Sequence, residues 1–118
     1  IMDLLEKLEK KINSELNTKI NSSKIKNDQI YLNIDSHDIT DVILFLKNNK
    51  NTSFKQLIDI TAVDYPENEK RFKLVYLLLS HEFNARILID CFINENEIPP
   101  SLTKIYPSSN WRKEKFLI

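Results

Sequence analysis

Two histidines, one cysteine and two closely spaced aspartates are the residues whose types could do chemistry in this chain. Neither His37 nor His81 stands in an H-x-x-x-H or C-x-x-C spacing, the patterns that bring several ligands to one metal. His37 reads as part of a helix start and His81 as a strand end. Cys91 lies in an apolar run, where a free cysteine behaves as a small buried hydrophobe. A catalytic thiolate would need a neighbouring base or helix N-terminus to lower its pKa, and nothing local supplies one. Asp59 and Asp64 are five residues apart on a strand-like run, which puts them on opposite faces and makes them a poor acid/base pair. Asp59 sits among apolar residues and needs a partner, for which Arg71 or Arg86 on a neighbouring strand are candidates. A structural ion pair or a contact with another chain fits these aspartates better than catalysis.

The composition removes whole classes of site. The 118 residues include no glycine, so a G-x-G-x-x-G or Walker loop, whose backbone must approach an anion closely, has nothing to form it. A glycine-framed nucleophile elbow is excluded for the same reason. One cysteine makes neither an intrachain disulfide nor a thiolate cage. Seventeen basic and seventeen acidic residues give a formal net charge of +0, which leaves no footprint for nucleic acid or an anionic membrane. No run approaches the roughly 20 apolar residues that span a bilayer, and no secretory signal precedes the charged start. Sixteen Ile, 14 Lys and 13 Asn against two Ala point to an AT-biased genome. From residue 101 the net charge is +3, against −3 for residues 51–100, a split that reads first as solvated surface.

The elements follow from periodicity. Ile1, Leu5, Leu8, Ile12 and Leu16 predict an amphipathic helix over about the first 17 residues. Residues 17–24 read as polar and turn-like. Ile30, Leu32 and Ile34 alternate with polar neighbours as in a half-buried strand. Ser36 or Asp38 is expected to cap a second helix with an apolar face of Ile39, Val42, Ile43 and Leu46, ending near Asn48-Asn49. Residues 58–65 form a β-rich run stopped by Pro66. Residues 72–80 are so continuously apolar that a central strand buried on both faces is expected. Asn84 is the residue expected to take a left-handed conformation in the following turn, and residues 85–93 return as a strand. Short helices are expected from Ser101 and from Pro107, the last carrying Trp111, Phe116 and Leu117. The sum is one α+β domain over residues 1–118: a two-layer unit with a mixed or antiparallel sheet and helices on one face, ordered α-β-α-β-β-β and then short helices.

Several stretches together resemble one known family. Phe54, Leu57 and the block Asp59-Ile60-Thr61-Ala62-Val63-Asp64-Tyr65-Pro66 are similar to its F-x-x-L-x-D-I-T-A-V-D-Y-P segment. Arg71-Phe72 through Ser80 resembles R-F-x-x-V-Y-x-L-L-S, and Asn84-Ala85-Arg86-Ile87 resembles N-x-R-I. Ile98-Pro99-Pro100-Ser101-Leu102-Thr103 and Tyr106-Pro107-Ser108-Ser109-Asn110-Trp111 resemble I-P-S-L-T and W-P-S-A-N-W. The family is the C subunit of bacterial NADH:quinone oxidoreductase, whose mitochondrial counterpart is the 30-kDa subunit of respiratory complex I. The resemblance is strongest over residues 54–111. After Asn110-Trp111 the family continues with an aromatic residue, E-R-E and a Gly- and Pro-containing segment, where this sequence has Arg112-Lys113-Glu114-Lys115-Phe116. The expectation is a truncated form, or one whose missing part is a separate chain or is replaced by another subunit, with the split or substituted partner favoured.

The resemblance implies a structural subunit of the peripheral arm without an active site, supporting the quinone-site and iron–sulfur subunits of an NADH:ubiquinone oxidoreductase. It implies no cofactor on this chain, with FMN, iron–sulfur clusters and quinone held elsewhere in the complex. The implied partners are other complex I subunits, chiefly the large quinone-site subunit, and a chain supplying the C-terminal half, with no nucleic acid and no membrane span. The implied location is the matrix side of the mitochondrial inner membrane, or the cytoplasmic face of a bacterial one. By analogy Asp59, Asp64, Tyr65, Pro66, Asn110 and Trp111 are the candidate interface residues. The alternatives are a small free-standing enzyme or binding module using His37, His81 or Cys91, and an adaptor in another assembly.

Overall fold

The helical spacing of Leu8, Ile12 and Leu16 builds α1 (Leu4–Leu16), which buries those three side chains and leaves Lys7, Lys10 and Lys11 exposed. The structure, a computed structural model, describes residues 4–97, 102, 105 and 106. Of residues 17–24, expected as a turn, 17–19 form one, while 20–24 instead enter a strand, β1 (Ile20–Lys26), hairpinned to β2 (Gln29–Ile34). The reason is the two-residue connection. Asn27 and Asp28 have φ of 54° and 62°, the positive values that a type I′ hairpin turn requires at both central residues. In a glycine-free chain Asn and Asp tolerate that region best. Asn84, with φ 50°, turns the chain between later strands for the same reason.

A 3₁₀ turn (Ser36–Asp38) leads into α2 (Ile39–Asn48), which buries Ile39, Val42, Ile43 and Leu46. Neither Ser36 nor Asp38 caps it with a side chain, contrary to expectation. Tertiary partners compete successfully for both: Ser36 Oγ donates to Glu97 Oε2 at 2.6 Å, and Lys19 Nζ reaches Asp38 Oδ1 at 3.4 Å. The C-terminus of α2 is closed without glycine. The Asn49 N–H bonds the Phe45 carbonyl, while the Phe54 N–H and Thr52 Oγ1 both reach the Leu46 carbonyl.

Strands β3 (Gln56–Asp64), β4 (Phe72–Ser80) and β5 (Ala85–Ile93) form an antiparallel meander. The five-stranded sheet has the order β1-β2-β5-β4-β3, and β2 runs parallel to β5. The sheet is therefore mixed rather than a run of sequential antiparallel neighbours, because the segment containing α2 carries the chain from β2 to the far edge. Inward residues of β2 to β5 join α1 and α2 in one core, including Ile30, Leu32, Ile60, Tyr76, Ile87 and Ile89, with Ile20 and Ile25 of β1 partly buried against it. Each such fully buried Leu or Ile contributes roughly 1.5–3 kcal/mol.

β4 stands fourth in the sheet, and its burial alternates instead of being two-sided. Leu74, Tyr76 and Leu78 are buried, while Val75, Leu77 and Leu79 on the other face are half-buried. Both described helices pack on the inward face, and among the described residues no element covers the outward one. The helices expected from Ser101 and Pro107, with Asn110, Trp111, Phe116 and Leu117, lie outside the described residues, apart from Leu102, Ile105 and Tyr106. Those three are buried, and the Tyr106 hydroxyl donates to the Phe54 carbonyl at 2.6 Å. No described helix is long and apolar enough to cross a membrane.

Candidate functional site

The residues with catalytic potential are dispersed. His37 is exposed within the 3₁₀ turn, its Nε2 3.3 Å from Asp38 Oδ2. Asp35, His37 and Asp38 bring one ligand atom each within 4.8 Å of the others, an exposed acidic group of a kind common at surfaces. His81 lies at the opposite end of the sheet, after Ser80, with Nε2 2.7 Å from Gln56 Oε1. Cys91 is fully buried in the core, and burial, followed by the nearby Asp90 charge, pushes its thiol up to about 12. A nucleophile with that pKa has no base at hand and no access. Among the described residues the three share no pocket.

The aspartates separate as alternation requires, and their partners differ from the expectation. Asp64 is the one bound by Arg71, through Nε at 2.7 Å and Nη2 at 2.9 Å, in a fork-to-fork pair. Arg71 also reaches Glu95 Oε1 at 3.5 Å and lies over the Phe72 ring. The pair closes the exposed turn containing Pro66, along with the Tyr65 N–H bonded to the Arg71 carbonyl at 2.7 Å. Asp59 faces outward opposite Leu77, and its Oδ1 accepts the Ile60 N–H at 2.9 Å. Arg86 has no hydrogen bond or ion pair among the described residues. The difference is one of register: Asp64 pairs with Phe72, next to Arg71 at the mouth of the hairpin, whereas Asp59 lies opposite Leu77, well along β4.

The Arg71 hydrogen bond, aided by its charge and opposed by partial burial, holds the Asp64 carboxyl below its ordinary 3.8. A depressed carboxylate contributes stability that is present above its unfolded pKa and is lost as pH falls through the folded one. Glu97 is lowered in the same sense, first by Ser36 and then by the Asn94 N–H. The urea midpoint is therefore expected to fall below about pH 4, and Asp64→Asn to flatten part of that fall. Identical slopes for both chains between about pH 6 and about pH 3 would remove Asp64 from the acid response.

Among the described residues the outward sheet face is an extended apolar surface that two of the candidate residues, Asp59 and Tyr65, border. Its cross-strand rows are Lys73–Phe92, Val75–Asp90, Leu77–Leu88 and Leu79–Arg86 between β4 and β5, extended by Tyr31 and Asn33 of β2. Thr61 and Val63 of β3 continue it toward the far edge. Tyr65, 40% exposed, sets its ring 6.1 Å from that of Phe92. Asp90 is held by Asn33 Nδ2 at 2.5 Å and Lys73 Nζ at 3.6 Å. A shallow groove of about 400 Å³ runs beside them, walled by Lys24, Tyr31 and Phe92. Of the residues expected at an interface, Asp59 and Tyr65 lie on or beside this face, Asp64 is committed to Arg71, and Pro66 is exposed in the turn. Asn110 and Trp111 lie outside the described residues. Leu77 and Leu88 were not singled out from the sequence, although their position opposite the buried parity of an apolar strand was the signal for them.

Residues 32–114 match the family described as "Respiratory-chain NADH dehydrogenase, 30 Kd subunit". The chain is 44% identical over 82 residues to the C subunit of the NADH-quinone oxidoreductase of Ruegeria pomeroyi, covering 68% of this chain and 41% of that one. It is 40% identical over 84 residues to the mitochondrial NADH dehydrogenase [ubiquinone] iron-sulfur protein 3 of Candida albicans, covering 71% and 30%. Over a longer stretch it is 34% identical to the corresponding NADH-quinone oxidoreductase subunit of a Chelativorans strain, spanning 85% of this chain and 50% of that relative. The chain thus spans half or less of the length of these relatives. A chain of the membrane-bound sulfane sulfur reductase, an archaeal respiratory membrane complex, superposes with a TM-score of 0.75 at 23% identity, covering 88% of this chain and 60% of that one, a likeness of fold.

Proposed function

The chain belongs to the family of the 30-kDa subunit of respiratory-chain NADH dehydrogenase, and from that membership we propose that it is a structural subunit of the peripheral arm of complex I. The observation that carries the role is the half-buried apolar sheet face, bordered by the Asp59–Pro66 block. Such a surface suits a protein that stays in a permanent assembly. Its contribution is packing area and fixed geometry: β3 to β5 hold a rigid platform, and the Asp64–Arg71 pair fixes the turn at its rim. Neighbouring redox subunits held on such a platform keep a constant spacing during electron transfer.

The subunit takes no cofactor of its own in this reading. Iron–sulfur ligation needs several thiolates, and this chain has one cysteine, buried and inert. FMN, the clusters and quinone sit on neighbouring subunits, and the large quinone-site subunit is the chief partner. The location is peripheral on the membrane complex, at the matrix side in mitochondria or the cytoplasmic side in bacteria.

Native separation of detergent-solubilised membranes, followed by mass spectrometry, is the test. The chain is expected to migrate with a megadalton-scale NADH-oxidising band. Recovery at low mass in the soluble fraction alone would sink the reading and return attention to His37, His81 and Cys91.

A further inference from the structure

We propose that the outward face of β4 and β5 is a docking surface for an apolar patch on a neighbouring subunit that presents a carboxylate to Arg86. The inference rests on the structural-subunit reading and names the face and the chemistry of its partner. An antiparallel face meant for water carries polar residues at alternate positions. Here the outward residues of β4 are Lys73, Val75, Leu77 and Leu79, and the Leu77–Leu88 pair occupies the middle of the face. Val63, 37% exposed, extends the apolar surface onto β3.

The charges on the face determine what covers it. Lys73 and Asp90 lie 3.6 Å apart, and Asn33 holds the other carboxylate oxygen, so this group is already neutral and hydrogen-bonded when water is excluded. Arg86 differs. It is exposed at the next outward position before Leu88, paired across with Leu79, and has no ionic or hydrogen-bonding partner among the described residues. A guanidinium enclosed by an apolar partner needs a planar acceptor, and a carboxylate matches its fork. A second copy of this chain is a poor occupant, because the outward carboxylates of this face, Asp90 and Asp59, are already engaged by Asn33 and Lys73 and by the Ile60 N–H. The partner is therefore a different subunit, apolar opposite Leu77 and Leu88 and acidic opposite Arg86.

The test uses the whole complex in detergent-solubilised membranes. Benzoylphenylalanine in place of Leu88 is expected to cross-link the chain to one other subunit, and the same group in place of Lys10 on α1 to give far less product. Arg86→Glu is expected to reduce retention of the chain in the complex roughly tenfold or more, with Arg86→Lys intermediate. Lys10→Glu, a matched reversal on an exposed helix position, should leave retention unchanged. If the unaltered chain co-migrates with the complex but Arg86→Glu is retained equally, or Lys10 cross-links and Leu88 does not, this face is wrong and the subunit reading stands. A cross-link from Leu88 to a second copy of the chain overturns the partner assigned. Absence of the unaltered chain from the complex overturns the subunit reading, and this inference with it.

Discussion

Phe54→Ala is expected to lower the unfolding free energy by about 3–5 kcal/mol, the range for emptying a fully enclosed aromatic site. Phe54 is 0% exposed, and its backbone joins three parts of the molecule. Its N–H closes the end of α2 on the Leu46 carbonyl, its carbonyl receives the Tyr106 hydroxyl, and β3 begins two residues later. The preceding Ser53 has φ 51°, so the chain cannot slide inward without altering a constrained turn. The vacated volume is consequently held open and the cavity cost is not relieved. A single domain has about 5–15 kcal/mol in total, so the variant loses a large share of its margin. Urea unfolding should show a lower midpoint at unchanged slope. A loss below about 1 kcal/mol would mean that this corner collapses freely, contrary to the packing described.

The second large effect concerns Cys91. Moving its thiol from 9.0 to about 12 leaves, near pH 8, about a thousandfold less thiolate than in the unfolded chain. Full burial adds a steric block. Alkylation by iodoacetamide is expected to be at least about a thousandfold slower in the folded protein than in urea, and to proceed through unfolding. The sign of the linked pH dependence follows. The folded state favours the neutral thiol, so this stabilisation is complete below the unfolded value and is lost as pH rises from there toward the folded one. Burial raises the Tyr76 and Tyr106 hydroxyls in the same direction. Stability should therefore fall through an alkaline limb beginning near 9, and Cys91→Ala should delay its start. Rapid labelling of the folded chain at neutral pH would instead mark Cys91 as accessible and revive a catalytic role for it.

Much of the architecture was legible because its causes are local. The spacing of Leu8, Ile12 and Leu16, the face from Ile39 to Leu46 and the alternation of Ile30, Leu32 and Ile34 each record which side of one element is buried. Asn84 was legible as a left-handed residue since the chain has no glycine to take that place. β1 was not, because Ile20 and Ile25 lie on opposite parities of a polar edge strand and its hairpin signal is the unemphatic pair Asn27-Asp28.

By itself the sequence determined the α+β class, the order of most elements, the opposite faces of Asp59 and Asp64, and a specific family block at residues 54–66. It also excluded glycine-built phosphate loops and thiolate clusters, since those depend on residue types the chain lacks. The tertiary structure alone decided the parallel pairing of β2 with β5 and the choice of Asp64 over Asp59 as the partner of Arg71. It alone left the outward residues of an apolar strand uncovered by any described element. These are facts of register and of which layers a chain can supply. Periodicity records that a side chain is apolar, and only the assembled sheet tells whether the chain's own core or another protein is there to meet it.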